Sequence, residues 1–194
     1  MKLSAVVQLI DGFSLQPAVG VAVRFLLNDK PYLPLSKAQA FYAFSDLDDG
    51  AYQLTILCEN HVFFDQRIAL QVPLREPLAD AIIACTLAPS PLYPYPEGTT
   101  LIRGQIFQVD AQRRPVPGVD VAASYQNVRA RPKRQTTRSS DYGRYDGRYA
   151  LALTGKLAAH TAVDLNFSKA GFANVRKQLS VQPGTTQCVD IEIS

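Results

Sequence analysis

Apolar and polar residues alternate with a period of two along much of this chain, and one alternating run is written twice. Val21, Val23, Phe25 and Leu27 interleave with Ala22, Arg24 and Leu26; 98 positions later Val119, Val121, Ala123 and Tyr125 interleave with Asp120, Ala122 and Ser124. A period of two puts every second side chain on one face, so each run predicts a strand with its odd-numbered residues in a core. Both follow a proline, two small or apolar residues and a glycine: "PAVG" at 17–20 and "PVPG" at 115–118. A glycine at that place predicts a tight turn into the strand.

The echo continues downstream. "DDGAYQLTI" (48–56) aligns with "YDGRYALAL" (145–153), and "FFDQRIALQV" (63–72) with "FANVRKQLSV" (172–181). Each half closes on a short apolar run, "AIIACTL" at 81–87 and "CVDIEI" at 188–193. Between the halves Pro89, Pro91, Pro94 and Pro96 each lack a backbone donor, which predicts a stiff extended segment that interrupts sheet pairing. No stretch holds helical spacing for three turns; "PLSKAQAFYAF" (34–44) predicts one short helical turn ahead of a strand. The reading is an all-β protein of two tandem antiparallel β-sandwich domains, 1–88 and 100–194, joined by a proline-rich linker at 89–99.

Composition fits that reading: hydrophobic residues are 47 % of the 194 and charged residues 19 %, so the chain has material for packed cores. Nowhere do 18 apolar residues run together, which argues against a spanning helix. The amino-terminal "MKLSAVVQLIDG" has too short an apolar stretch for a signal peptide and is read as a first strand, with a cytoplasmic location as the expectation. Cys58, Cys85 and Cys188 are too far apart for a CxxC pair and are expected to be reduced thiols.

The order "LIRGQIFQVDAQRRPVPGVDVAAS", "TTRSSDYGRY", "NFSKAGFANVRKQLSV" and "CVDIEI" in the second half resembles the carboxypeptidase regulatory-like domain, and "VVQLIDGFSLQPAVGVAVRF" resembles it in outline in the first. The resemblance implies two copies of a transthyretin-like or Ig-like β-sandwich, and it implies no peptidase activity because those motifs are turn and core positions. Enzymes on related sandwiches supply a comparison. Hydroxyisourate hydrolases end in a Tyr-Arg-Gly-Ser motif, whereas this chain ends "CVDIEIS"; intradiol dioxygenases bind iron through two tyrosines and two histidines. The two histidines here, His61 and His160, fall in different halves, and neither sits in a nucleophile motif. No catalytic residue, metal ligand or cofactor is therefore assigned. Asp46, Asp48 and Asp49 form an acidic turn without the ligand spacing of an EF-hand.

Charge carries the functional hint. Residues 1–99 hold six Lys/Arg against ten Asp/Glu, a net of −4, and residues 100–194 hold fourteen against seven, a net of +7. The positive charge concentrates at Arg129, Arg131, Lys133, Arg134, Arg138, Arg144 and Arg148, interleaved with Tyr125, Tyr142, Tyr145 and Tyr149. The expected role is a non-enzymatic structural or protein-interaction module, a spacer or adaptor, whose partner is another protein with an acidic surface. Self-association is a second outcome of the same charge asymmetry. Nucleic acid is a further reading of the basic patch, and the same residues also suit a charged strand edge that resists aggregation and binds nothing. A carbohydrate or other ligand-binding module is the alternative function, with a cryptic hydrolase behind it.

Overall fold

Pro17 bridges back to Ile10 and Pro115 to Phe107, so the repeated motif folds the chain onto the end of the strand before it. Gly20 and Gly118 then turn at φ +79° and +65°, a region that side-chain-bearing residues rarely adopt, and the alternating strand begins. The computed structural model describes residues 2–73 and 81–194. Its contacts divide the chain into two compact units, 1–89 and 90–194.

In the first unit, β1 (Leu3–Asp11), β4 (Leu35–Lys37), β5 (Phe41–Ser45) and β8 (Ile82–Leu87) form one sheet in the order β4-β5-β1-β8. The second sheet, in the order β3-β2-β6-β7, holds β2 (Val23–Leu27), β3 (Lys30–Tyr32), β6 (Gly50–Cys58) and β7 (Gln66–Val72). The inner faces meet through aromatic rings: Phe25 lies edge-on to Phe44 at 5.9 Å and Tyr32 stacks on it at 5.3 Å. The helical turn expected before β5 is a single 3-10 turn, Ala38–Ala40.

The second unit contains β9 (Leu101–Gln108), β10 (Asp120–Gln126), β11 (Pro132–Arg138), β12 (Arg148–Ala152), β13 (Thr161–Ser168), β14 (Val175–Val181), β15 (Thr186–Cys188) and β16 (Ile191–Ile193). One sheet runs β11-β10-β13-β14; in the other, β9 sits between β12 on one side and β15 and β16 on the other. The core is one cluster in which Val119, Val121, Ala123 and Tyr125 are all buried, as the period of two requires. Tyr149 on β12 meets Phe167 on β13 edge-on at 5.5 Å across the layers.

Both units follow one strand order: β1, β2, β3, β5, β6 and β7 occupy the places of β9, β10, β11, β12, β13 and β14. Two sequence expectations change here. The alignment of 48–56 with 145–153 pairs β6 with β12, but β6 lies beside β2 whereas β12 lies beside β9 in the opposite sheet. Glycine followed by tyrosine reports a turn into a strand, and any buried strand can satisfy that pattern. The sandwiches are also not purely antiparallel. The final strand pairs parallel with the first, β8 with β1 and both β15 and β16 with β9. Because it follows a strand of the opposite sheet, no hairpin fixes its direction.

The proline-rich segment is likewise not an extended rod. Tyr93 N–H donates to Ser90 O at 3.1 Å, Tyr95 N–H to Tyr93 O at 2.9 Å and Thr99 N–H to Pro96 O at 3.1 Å. Tyr93 and Tyr95 stand edge to face at 4.7 Å. Proline fixes φ at a value that suits turns as well as polyproline helices, and these local bonds select turns.

Candidate functional site

The exposed face of the β11-β10-β13-β14 sheet is built from the even-numbered residues that the core does not use. Strand register places Arg134, Ser124, Asp164 and Gln178 in one row, and Thr136, Ala122, Asn166 and Arg176 in the next. Arg138 stands opposite Asp120 at the end of the first two strands. The centre of this face carries short side chains, Ala122, Ser124, Asp164 and Asn166, and cationic side chains stand on both edge strands. Gln178 donates to Asp164 Oδ1 at 2.6 Å, which occupies the central carboxylate with a neutral partner. Among the described residues, no carboxylate pairs with Arg129, Arg131, Lys133 or Arg134.

The seven basic residues singled out from sequence do not form one patch. Arg129 and Arg131 lie in the β10–β11 turn, where their backbone N–H groups both donate to Asn127 Oδ1 at 3.0 Å. Lys133 belongs to the set on β11 that faces the other side of the sheet from Arg134 and Arg138. Arg144 and Arg148 gather over the Tyr145 ring, at 4.8 and 5.5 Å from its centre, beside the other sheet. Alternation along a strand separates residues that are consecutive in sequence. It also recruits one the sequence reading passed over, Arg176 on β14.

A groove of about 740 Å³ opens between the β10–β11 turn and the start of β13, lined by Asn127, Lys133, Arg134, His160 and Asp164 among others. Tyr125 also borders it but is only 5 % exposed, and its hydroxyl is engaged twice by Thr154, donating to the carbonyl at 3.0 Å and accepting from the N–H at 2.8 Å. Tyr149 is buried too. Neither ring is open to stack on a ligand, because both occupy inward positions of their strands. Burial, followed by the nearby Asp190 and Cys188, pushes the Tyr149 phenol well above its ordinary range.

In the first unit a second groove, of about 590 Å³, lies along Val23, Phe25, Pro31, Leu33 and Tyr42. Tyr42 packs on Phe25 with ring centres 4.6 Å apart, and burial raises its pKa. Nothing in the sequence flagged this groove, since its apolar residues read as core positions.

In the acidic turn two of the three carboxylates are engaged by Lys2. Asp46 Oδ1 accepts from Lys2 N–H at 2.7 Å and Asp49 pairs with Lys2 Nζ at 3.4 Å. Among the described residues no three His, Cys, Asp or Glu side chains group to hold a metal ion. His61 and His160 belong to different units. Among the described residues no helix is long and apolar enough to cross a membrane.

The three cysteines differ in environment. Cys58 and Cys85 are buried and Cys188 is exposed. Burial raises the Cys58 thiol to about 12, with Asp65 and Cys85 adding to the shift, and the Cys85 thiol to about 11. The thiolate is the reactive species, so Cys188 is expected to react with a disulfide reagent at pH 8 while Cys58 and Cys85 react only on unfolding. Counting thiols released by native and denatured protein checks this; three fast thiols in native protein would refute it. The unfolded chain ionises these two thiols near pH 9 while the folded chain keeps them protonated, so stability falls as pH rises above about 9.

No family model matches the chain, and no curated protein does. Solved structures do. The Bacillus anthracis TIE protein is similar over 98 % of this chain and 34 % of its own length, at 8 % identity and a TM-score of 0.34. GBS52, the minor pilin of Streptococcus agalactiae, is similar over 98 % of this chain and 94 % of its own, at 10 % identity and a TM-score of 0.33. A carboxy-terminal fragment of the pilus adhesin SpaC from Lactobacillus rhamnosus GG is similar over 99 % and 97 %, at 10 % identity and a TM-score of 0.33.

Proposed function

We propose that this chain is a non-catalytic protein-interaction module, two diverged copies of one β-sandwich, that docks an acidic protein surface on the exposed β11-β10-β13-β14 face. The observation carrying the reading is that face itself: Arg134 and Arg138 on one edge strand and Arg176 on the other, across a floor of small polar side chains. An open sheet face with arginines at its borders suits a broad protein surface. Arginine forks bind carboxylates in bidentate fashion, and exposed charge complementarity sets on-rate and partner choice more than raw affinity. The shared strand order of the two units, and the "PxxG" turn placed identically in each, support their descent from one domain. The net of −4 over residues 1–99 keeps the first half from competing for the same partner.

The test is the triple substitution Arg134→Ser, Arg138→Ser and Arg176→Ser. All three side chains are exposed, so stability should change by no more than about 0.5 kcal/mol per site. Wild-type protein immobilised at low salt should capture an acidic protein from host extract and release it as salt rises, because salt screens exposed charges separated by more than about 8 to 10 Å. The triple variant should capture none of it. Equal capture by both proteins would remove the face from the reading. A labelled single-stranded oligonucleotide bound with a steep salt dependence would replace the protein partner by nucleic acid.

A further inference from the structure

Comparing the two units strand by strand exposes a vacancy in the first. In the second unit β11 runs alongside the whole of β10, with Thr137 opposite Val121 and Gln135 opposite Ala123. In the first unit β3 is three residues long and stops with Tyr32 opposite Phe25, after which the chain leaves through Leu33 and Pro34 to β4 in the other sheet. Val23, the counterpart of Val121, pairs with Cys58 on one side and among the described residues has no strand opposite it on the other. The ladder on the other side fixes which way its backbone points. Glu59 N–H donates to Ala22 O at 3.0 Å, so Ala22 and Arg24 bond towards β6, and Val23 and Phe25 direct their N–H and C=O groups the opposite way. Phe25 meets Tyr32 there, whereas Val23 meets the groove.

That groove is the second one described above, with Val21, Val23, Leu33 and Tyr42 on its walls. Its chemistry matches an edge-strand position: a free backbone donor and acceptor, apolar walls, and a phenol. The Tyr42 hydroxyl has no hydrogen-bond partner among the described residues. Leu33, at 95 % exposure, is the most exposed large apolar side chain among the described residues and stands at the rim. Arg24 and Glu59, also on the rim, neutralise each other at 2.8 Å, while residues 1–99 as a whole carry a net of −4.

We infer that this groove is a β-augmentation site, which takes an extended segment of a partner protein as an added strand antiparallel to β2, with apolar side chains at alternate positions and basic residues at its ends. The strand direction follows from β3 and β11, which both run antiparallel to their neighbour. Main-chain bonds to Val23 supply the pairing, and one alternate side chain lies against Phe25 and Tyr42. The basic ends answer the negative charge of the first half. This surface is independent of the cationic face in the second unit, so either assignment can fail alone.

The probe is a blocked heptapeptide alternating valine and threonine with a lysine at each end, titrated into the full ¹⁵N-labelled chain. Saturable shifts confined to Val21–Phe25, Leu33 and Tyr42 are expected, with a dissociation constant on the order of 1 mM or tighter. Val23→Pro removes the donor that faces the groove and replaces one apolar wall residue by another, while the bonds to β6, which run through Ala22 and Arg24, keep their donors; proline is tolerated at a strand edge. It should weaken binding about tenfold or more while the rest of the amide spectrum stays unchanged. If Val23→Pro does not fold, Leu33→Arg serves in its place, since that side chain is exposed and a cation there repels the basic peptide. Unaltered affinity in the folded variants, or shifts scattered over both units, would overturn the proposal. So would concentration-dependent dimerisation abolished by Val23→Pro in the absence of peptide binding, which would give the groove to a second copy of the chain.

Discussion

Replacing Tyr149 by alanine is expected to destabilise the second unit by about 3 to 5 kcal/mol, a large part of what holds a domain of this size together. The ring is 1 % exposed, stands edge-on to Phe167 at 5.5 Å, and joins the β12-β9 sheet to the sheet opposite. Its hydroxyl donates to Val189 O at 2.6 Å. The alanine variant therefore loses the buried aromatic area, opens a cavity and leaves a carbonyl without its donor. Tyr149→Phe isolates the last of these and should cost about 1 to 3 kcal/mol, the penalty of an unsatisfied buried polar group. Native-state amide exchange of β9 and β12, followed with urea unfolding of the second unit, measures both. A loss within half a kilocalorie for alanine would show that the ring does not hold the two layers together.

The second large effect is expected at Gly104, which stands directly opposite Tyr149 in the β9–β12 ladder. Here the requirement is space, not dihedral freedom. A β-carbon on Gly104 would overlap the Val189 carbonyl, which is the group that Tyr149 holds. The last strand steps inward at this point. Val189 N–H donates to Arg103 O at 2.8 Å, and Asp190 Oδ1 accepts from Gln105 N–H at 2.9 Å in place of a main-chain oxygen. Alanine at 104 would push Val189 out and disturb both bonds along with the tyrosine hydroxyl. A loss of about 3 kcal/mol, the upper part of the range for overpacking a tight site, is the expected result. Because the two substitutions act on one carbonyl, the double variant Gly104→Ala/Tyr149→Ala should lose less than the sum of the single losses, by roughly 0.5 to 3 kcal/mol. Strict additivity would mean that glycine and tyrosine act separately.

These two residues also show where reading the sequence stops. Tyr149 stands in sequence just after a glycine and at the head of an apolar run, a local pattern that suits a buried strand position. Gly104 was legible only as part of a family-like pattern. Its reason, a carbonyl 85 residues away in sequence, exists only after β16 has come to lie beside β9. The same division runs through the candidate surfaces. Arg134 and Arg138 could be picked out as charges, but Lys133, adjacent to Arg134 in sequence, points to the other side of its sheet, and Arg176 joins them only by way of two intervening strands.

What the sequence determined by itself is local or periodic. Alternation set the all-β class and the inward residues of β10 and of β2 at Phe25 and Leu27, though Val21 and Val23 are half-buried against a groove; the "PxxG" motif set the turns before these strands, and composition by halves set the charge asymmetry. Each follows from one strand's own pleat or from one turn's own dihedral angles, which neighbouring residues control. Tertiary structure alone decided which strands pair. It placed β6 beside β2 and β12 beside β9 although their sequences align, and ran the last strand parallel to the first. It also ended β3 at Tyr32, leaving the backbone of Val23 facing a groove. Pairing is decided by which buried faces fit across two layers, and that fit depends on residues far apart in sequence whose joint packing no single stretch encodes.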